Sequence, residues 1–272
     1  MGPQGSRIGG GVKLIPIILA ALYMGYFYLS NRQTVPLTGR KQLVDISREQ
    51  EAALGLQSYQ QVMRESRVVR DGQAAQLVKD VGQKISVVSE DPGFQWEYNL
   101  ISDPQVNAFC LPGGKVAVYS GILPVAKNAD GLAVIMGHEI AHAIARHGAE
   151  RMAQQKLMQI GTMAAGVAVS DMDDRSRMAV MGALGIGAQY GIMLPFSREH
   201  ESEADYMGLI YVARACFDPT EAPKLWERMG AASGGKGSAE FASTHPSNAT
   251  RIRQFQEWMP EALKIRREKC GQ

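Results

Sequence analysis

The sequence has few cysteines, almost no net charge and no phosphate-binding loop. Its three cysteines, Cys110, Cys216 and Cys270, form no CxxC pair, which argues against a zinc ribbon or a thioredoxin-type redox site. An odd count also excludes a fully paired disulfide framework and leaves open a single bridge such as Cys216 to Cys270. The formal charge is +2, from 29 basic and 27 acidic residues, so we predict no nucleic-acid partner.

Long uncharged runs are also scarce, and the first lies near the N-terminus. Residues 14–31 carry no charge and contain three tyrosines towards their end. Their length is near the lower limit for a membrane-spanning helix, and tyrosines suit the membrane interface. A cleaved signal peptide is the alternative, but no small-x-small cleavage site follows the apolar core. We therefore predict an uncleaved anchor and membrane contact through residues 14–30.

The composition along the chain predicts four parts. These are a disordered Gly-rich tail at 1–12, a transmembrane anchor or signal segment at 13–31, a linker at 32–45, and one catalytic domain at 46–272. Within the domain, two predicted helices beginning near Ser47 and Gln73 precede three short predicted strands at 95–101, 106–110 and 115–119. The composition of residues 157–194 predicts two apolar helices with a polar connection. These helices either pack in a soluble core or form a hairpin that touches the membrane, and the sequence leaves both alternatives open.

The main chemical signal is the pattern His138-Glu139-Ile140-Ala141-His142. Each residue of an α-helix turns about 100°, so the two histidines face the same way, one turn apart, and can share one metal ion. A catalytic zinc takes three protein ligands and keeps an open position for water. Glu139 is suited to take a proton from that water as it attacks a carbonyl. The pattern therefore predicts a catalytic site with one Zn²⁺ per chain.

A third ligand is expected in the predicted helix 198–215, whose first turns are acidic. Glu199 with Glu203, and Glu201 with Asp205, form two pairs at i,i+4 spacing. Acidic residues near a helix N-terminus are also common because of the helix dipole. Periodicity does not choose between the two pairs.

Four pieces of the chain, in this order, resemble the M48 family of zinc metallopeptidases. They are NAFCLPGG at 107–114, HEIAH at 138–142, SREHESEAD at 197–205, and THPS at 244–247 followed by Arg251. The resemblance covers residues 46–258. It implies an α+β fold, a mostly helical zincin of the gluzincin type with a small antiparallel β-sheet.

The resemblance also implies roles for particular residues. Glu201 becomes the third zinc ligand beside His138 and His142, and Asp205 orients a ligand histidine. An edge strand over the metal, to which substrate backbone adds by β-augmentation, is implied for Asn107, Ala108, Phe109, Cys110 and Leu111. Cys110 stands where a plain apolar residue is expected, and a thiol beside the metal could respond to oxidants.

His245 and Arg251 complete the implied site. We predict that His245 either fills the open fourth metal position and silences the site, or donates a hydrogen bond to the oxyanion when substrate is bound. Arg251 is the candidate to hold this segment against Asp205. Two further histidines are predicted to lie away from the metal: His147, about 180° round a continuous helix from His138, and His200, as an exposed polar residue.

These observations predict a membrane-anchored zinc endopeptidase that hydrolyses peptide bonds in misfolded or membrane-associated proteins. We expect it to act in protein quality control, single-pass in a bacterial inner membrane, with a periplasmic catalytic domain. The alternative is a chaperone-like protein that holds unfolded polypeptides and rarely cuts them; the ligand set with Glu139 favours the enzyme. A hydrolase of non-peptide amides is disfavoured by the implied substrate strand. The oligomeric state is open.

Overall fold

The structure, a computed structural model, describes residues 12–188, 193–233, 245 and 249–271. The chain forms two compact units. The smaller unit consists of residues 1–33, 41–45 and 149–198, and the larger unit of residues 34–40, 46–148 and 199–272. All the predicted site residues belong to the larger unit.

Helices dominate the described residues. The helices are α1 (Leu14–Ser30), α2 (Arg48–Glu65), α3 (Gln73–Val88), α4 (Leu123–Ala126), α5 (Ala129–Ile144), α6 (His147–Ala168), α7 (Asp174–Ala188), α8 (Leu194–Arg214), α9 (Glu221–Ser233) and α10 (Ala249–Cys270), with a 3₁₀ turn at Ser120–Ile122. The strands are β1 (Arg32–Thr34), β2 (Lys41–Leu43), β3 (Val68–Val69), β4 (Glu97–Ile101), β5 (Ala108–Leu111) and β6 (Lys115–Tyr119). The predicted α+β fold, mostly helical with a small sheet, is confirmed.

The four-stranded sheet of the larger unit has the order β3-β4-β6-β5. The outer pairs are antiparallel, as predicted, whereas β4 and β6 in the middle run parallel. Tyr59 of α2 packs with Ile101 and Ala117 on one face, while Ala108 and Val116 join the main core with α5 on the other. Among the described strands β5 therefore lies at an edge, bonded only to β6.

Helix α5 runs through the centre of the larger unit. The Asn128 side chain caps it by accepting a hydrogen bond from the Gly131 backbone N–H at 2.8 Å. Every residue from Gly131 to Ile144 except His142 is buried, and a helix that is apolar on all sides needs such a position. Complete burial of a large aliphatic side chain contributes about 1.5–3 kcal/mol, so this core fixes α5 firmly.

A glycine pair brings α8 close to α5. A Cβ atom at Gly208 would lie 2.8 Å from the backbone nitrogen of His138, and one at Gly137 would lie 3.0 Å from the carbonyl oxygen of Gly208. Such distances are too short for a side chain, so only glycine permits this approach of the two backbones. The contact places the acidic first half of α8 beside the histidines of α5.

The continuous helix predicted from Ala141 to about residue 158 is interrupted in the structure. Helix α5 ends at Ile144, Arg146 takes a left-handed conformation with φ 62°, and α6 begins at His147. Buried Arg146 donates hydrogen bonds to the Glu51 carboxylate at 2.6 Å and to the Ile46 carbonyl at 2.8 Å. These bonds satisfy the guanidinium at a conformation that non-glycine residues seldom adopt. Positions after Arg146 therefore do not follow the angular steps of α5.

The predicted linker at 32–45 contains ordered structure. It holds β1 and β2, and Val35 is 1% exposed and belongs to the core of the larger unit. Cys216 and Cys270 form a disulfide with a Cα–Cα distance of 5.7 Å, and Cys110 is free. The disulfide closes a loop of the chain that contains both His245 and Arg251.

The smaller unit contains apolar helices with many exposed side chains. Helices α6 and α7, joined by residues 169–173, match the two apolar helices predicted for 157–194. Lys13, just before α1, donates to Asp171 in their connection at 2.8 Å. No helix in the described parts of the chain combines the length and the apolar character needed to cross a membrane.

Candidate metal centre and active site

Four side chains from separate parts of the chain converge in the larger unit. The ligand atoms of His138, His142, Glu201 and His245 all lie within 4.8 Å of one another. The Nε2 atoms of His138 and His142 are 3.1 Å apart. The two carboxylate oxygens of Glu201 lie 3.4 Å from these nitrogens, one from each. The structure thus brings together the three residues predicted as ligands.

His245 lies in the same cluster. Its Nδ1 atom is 2.9 Å from both oxygens of Glu201 and 3.1 Å from Nε2 of His138. Its Nε2 atom is 3.7 Å from Oε1 of Glu139. The adjacent residues of the THPS piece lie outside the described residues. His245 itself occupies the position from which both of its predicted roles would be exercised.

The donor set fits a metal ion such as zinc. Imidazole nitrogens and a carboxylate are ordinary zinc ligands, and the four groups point inward from buried or half-buried positions. Glu139, 4% exposed, has a buried Oε1 atom without a hydrogen-bond partner. Burial raises the pKa of Glu139. Glu139 is not among the four groups that converge on the ligand position and lies beside them, which is the placement expected of a general base.

Burial and mutual hydrogen bonds set the charges of the cluster without a metal. Burial lowers the pKa of His138, but hydrogen bonds to Asp205 and Glu201 outweigh it and raise the pKa to about 9. Burial lowers the pKa of His142 to about 3. Burial opposes ionisation of Glu201, yet hydrogen bonds from the histidines hold its pKa below the usual value. A metal ion that binds here therefore displaces a proton from His138.

Asp205 and Arg251 support His138 from the outside. Oδ1 of Asp205 lies 3.0 Å from Nδ1 of His138, and Arg251 donates to both oxygens of Asp205 at 2.5 and 2.6 Å. Arg251 also donates to Glu201 at 3.1 Å, and its guanidinium carbon lies 3.5 Å above the centre of the Trp226 ring. The pairing of Arg251 with Asp205 is the one expected from the sequence. Trp226 is a neighbour that sequence reasoning missed.

His147 and His200 lie elsewhere than the sequence predicts. Both are buried, and their rings stack at 4.3 Å. Nδ1 of His147 is 2.7 Å from Nδ1 of His142, and its Nε2 is 2.9 Å from Oε2 of Glu203. The prediction that His147 faces away from the metal is wrong, because the backbone break at Arg146 turns it back towards α5. The prediction of an exposed His200 is also wrong, because its ring is buried against His147. Burial lowers the pKa of His147.

The predicted substrate strand packs directly against the site. Residues Ala108–Leu111 form β5 at the sheet edge, and Asn107 accepts the backbone N–H of Tyr119 just before it. Burial raises the pKa of the Cys110 thiol, and the nearby Glu139 raises it further. A thiol kept protonated in this way reacts slowly. The environment therefore argues against the oxidant response expected of Cys110.

Comparison with known proteins agrees with this site. The family model described as Peptidase family M48 matches residues 71–259, well over half of the chain. The site combines two histidines one helical turn apart, Glu139 beside them and Glu201 from α8, and the chain belongs to peptidase family M48. It is a metalloendopeptidase.

Several curated relatives align with most of the chain. The mitochondrial metalloendopeptidase OMA1 of Schizosaccharomyces pombe is 41% identical over 90% of this chain and 71% of that protein. The protein of the same name from Saccharomyces cerevisiae is 32% identical over 91% of this chain and 75% of its own length. The beta-barrel assembly-enhancing protease of Escherichia coli is 26% identical over 88% of this chain and 50% of that protein.

The expected location needs correction. The sequence predicts a single-pass protein of a bacterial inner membrane with a periplasmic domain, anchored through residues 14–30, whose flanking charges do not set an orientation. The relatives with the higher identities are named as mitochondrial proteins, and no described helix is long and apolar enough to span a membrane. The prediction of a bacterial single-pass protein is therefore wrong. An uncharged run near the N-terminus indicates apolar surface and does not identify a compartment.

Proposed function

We propose that this protein is a zinc-dependent endopeptidase that cleaves unfolded or misfolded polypeptides in protein quality control. The observation that carries the proposal is the buried Oε1 of Glu139, which has no hydrogen-bond partner among the described residues and lies beside the cluster of His138, His142 and Glu201. These groups all belong to the larger unit, residues 34–40, 46–148 and 199–272, and we propose that this unit carries the catalytic activity. A purely chaperone-like protein has no use for a general base in that position.

The proposed chemistry divides between the metal and the chain. His138, His142 and Glu201 hold zinc, which when bound supplies a Lewis acid and lowers the pKa of coordinated water. Glu139 accepts a proton from the attacking water at Oε1 and delivers it to the nitrogen of the leaving amine. Asp205 and Arg251 keep His138 in the orientation that binding requires.

The edge strand β5 is the proposed binding surface for substrate backbone. Its outer backbone groups face away from β6, and an extended polypeptide can add there as a further strand. Main-chain hydrogen bonds of this kind do not depend on side-chain identity, so cleavage of varied sequences follows. The residues proposed for this surface are Asn107, Ala108, Phe109, Cys110 and Leu111.

A pair of substrates differing only in folding tests the proposed substrate class. A disulfide-containing protein should be cleaved faster after reduction and alkylation than in its native form, because β5 requires extended, unpaired backbone. Electrophoresis and mass spectrometry of the products would measure both rates, with chelator-treated enzyme as the control. Equal cleavage of the two forms would contradict the preference for unfolded chains.

His245 is proposed to act as a plug on the metal. Its Nδ1 atom already lies at 2.9 Å from the ligand Glu201 and 3.1 Å from the ligand His138, so it can complete a four-ligand set that excludes water. His245→Ala is then expected to raise basal cleavage and self-cleavage with zinc retained. A fall in kcat with zinc retained would instead identify His245 as the oxyanion donor. Wild-type values for cleavage and zinc content would exclude both roles.

The names of the relatives support a mitochondrial location for this protein as well. Similarity of 41% and 32% to two proteins named as mitochondrial makes this the compartment to test first. We expect the protein to copurify with mitochondria when cells of its source are fractionated. Recovery outside that fraction would contradict the proposed location.

A further inference from the structure

On the side of His142 that faces away from Glu201 lies a series of hydrogen-bonded side chains that the proposed reaction does not use. Nδ1 of His142, the ring nitrogen turned away from Glu201, is 2.7 Å from Nδ1 of His147. Nε2 of His147 is 2.9 Å from Oε2 of Glu203. Two ring nitrogens at this distance need one proton between them, so one is the donor and the other the acceptor.

Glu203, the last residue in this series of hydrogen-bonded side chains, accepts hydrogen bonds from two further residues. Arg40 donates from Nε to Oε2 of Glu203 at 2.8 Å, and the Thr38 hydroxyl donates to Oε1. Side-chain exposure is 16% for Arg40 and 5% for Glu203, so the ion pair is shielded from water. An arginine and a hydroxyl thus donate to the Glu203 side chain, whose Oε2 also lies within hydrogen-bond distance of Nε2 of His147.

This arrangement selects one proton pattern for the two histidines. Nε2 of His147 faces a carboxylate oxygen, so Nε2 carries the proton and Nδ1 of the same neutral ring is bare. The bare Nδ1 of His147 must accept, so Nδ1 of His142 carries its ring proton. Nε2 of His142 is then left with a lone pair directed at Glu201 and His138. The opposite pattern would set the lone pair of His147 against the Glu203 carboxylate at 2.9 Å, a closer repulsion than that of His142 Nε2 against Glu201 at 3.4 Å.

We propose that His147 is a positioning residue that fixes the tautomer of His142, so that Nε2 of His142 has a lone pair available for the metal ion. His147 is itself held by Glu203, which Thr38 and Arg40 hold in turn. This set is called the His147 relay. The proposal rests on the metal site of the proposed function. The two metal-binding histidines then have different hydrogen-bond partners on the side away from the metal. His138 contacts the Asp205 carboxylate directly, whereas His142 contacts His147, which in turn contacts the Glu203 carboxylate.

The backbone supplies the relay with fixed positions. The left-handed turn at Arg146 carries His147 to the α8 side of α5, where His200 stacks on it with an interplanar angle of 10°. Thr38 and Arg40 come from the segment 34–40, which is anchored in the core by Val35. The segment thus contributes to the metal centre from a point about a hundred residues before His142 in the chain.

The proton pattern can be read directly in the full-length, metal-free protein. The chain has five histidines, so ¹⁵N-histidine labelling gives a nitrogen NMR spectrum simple enough to assign with single-histidine variants. We expect the Nδ1–H tautomer for His142 and the Nε2–H tautomer for His147. A proton on Nε2 of neutral His142, or a doubly protonated His147, would overturn the proposal. This result does not depend on enzymatic activity.

Matched variants test the consequence for metal binding. His147→Phe removes both the donor and the acceptor, and loss of such an outer partner typically weakens metal affinity by about 10- to 100-fold. His147→Gln can accept with its amide oxygen and donate with its amide nitrogen, so it should recover most of the lost affinity. Glu199→Gln is the control, since it changes an exposed residue of α8 outside the relay and should retain wild-type affinity.

Zinc affinity would be measured by competition with a chromophoric chelator, and the Co²⁺ absorption spectrum would report the geometry of the ligands. Equal affinity and spectra for wild type, His147→Phe and His147→Gln would refute the relay. Equal losses in the Phe and Gln variants would do the same, because they would indicate packing alone. If wild type itself binds no metal, the proposed function fails. If wild type binds metal and the variants bind it equally well, only this inference fails.

Discussion

Replacing Glu139 with glutamine is expected to lower kcat by about 10²- to 10⁴-fold, the usual contribution of a positioned general base, while zinc content stays at the wild-type level. The amide has nearly the same shape and cannot accept the proton. Retained metal is expected because Glu139 is not among the four groups that converge on the ligand site. Peptide hydrolysis and metal analysis on the same preparations would measure both quantities.

Glu199→Gln supplies the control for the Glu139 variant. It makes the same chemical change on the exposed surface of α8, where no site contact is disturbed, and should leave kcat unchanged. Loss of zinc in Glu139→Gln would show that Glu139 is a ligand. Full activity in Glu139→Gln would remove it from the reaction and would favour a different base.

Arg251→Leu is expected to destabilise the protein by about 3–5 kcal/mol, the usual result of removing one partner from a buried ion pair. Arg251 is 4% exposed and donates to Asp205 and Glu201, whose carboxylates are themselves buried. Leucine leaves those charges without their main cationic partner and abolishes the stacking on Trp226. Denaturant unfolding of the metal-free protein would measure the change.

Arg253→Leu, the same substitution two residues further along α10, is the control for this result. Arg253 is exposed and makes only a long contact of 3.4 Å to Thr250 among its described bonds, so Arg253→Leu should change stability by less than about 0.5 kcal/mol. Equal effects of the two variants would mean that the loss comes from the helix surface rather than from the buried pair. An unchanged free energy of unfolding in Arg251→Leu would contradict the electrostatic account of the site.

Local signals in the sequence were sufficient for much of the larger unit. The Ser47 capping box opens α2, and the periodicity of residues 73–88 matches α3 at both ends. The one-turn spacing of His138 and His142 brought their Nε2 atoms together as expected. Such features depend on residues within one or two turns of each other, and the physical rules for those distances are strong.

Helical spacing within α8 could not decide whether Glu201 or Glu203 is the third ligand. Both glutamates are buried in the structure, and each serves a different histidine of the same centre. The decision depends on how α8 is rotated against α5, which is set by the backbone contact of Gly137 with Gly208. Neither glycine carries a signal that could be recognised from spacing alone.

The His147 relay was missed for a related reason. A straight helix would carry His147 to the far side from His138, and nothing in the sequence marks the left-handed turn at Arg146. The turn is stabilised by distant partners, Glu51 and the Ile46 carbonyl. Arg40 lay in a segment interpreted as a linker. The positions of His147, five residues after His142, and of His200, next to Glu201, are the signal that could have prompted the search.

The central claim is that a metal ion held by His138, His142 and Glu201 performs peptide hydrolysis with Glu139. Its most direct test is a titration of zinc into chelator-stripped full-length protein, with cleavage of an unfolded polypeptide followed at each step. Cleavage should be absent at the start, rise in proportion to added zinc, and level off at one equivalent per chain. Cleavage by the stripped protein, or a polypeptide that binds at one equivalent of zinc and remains intact, would contradict the account.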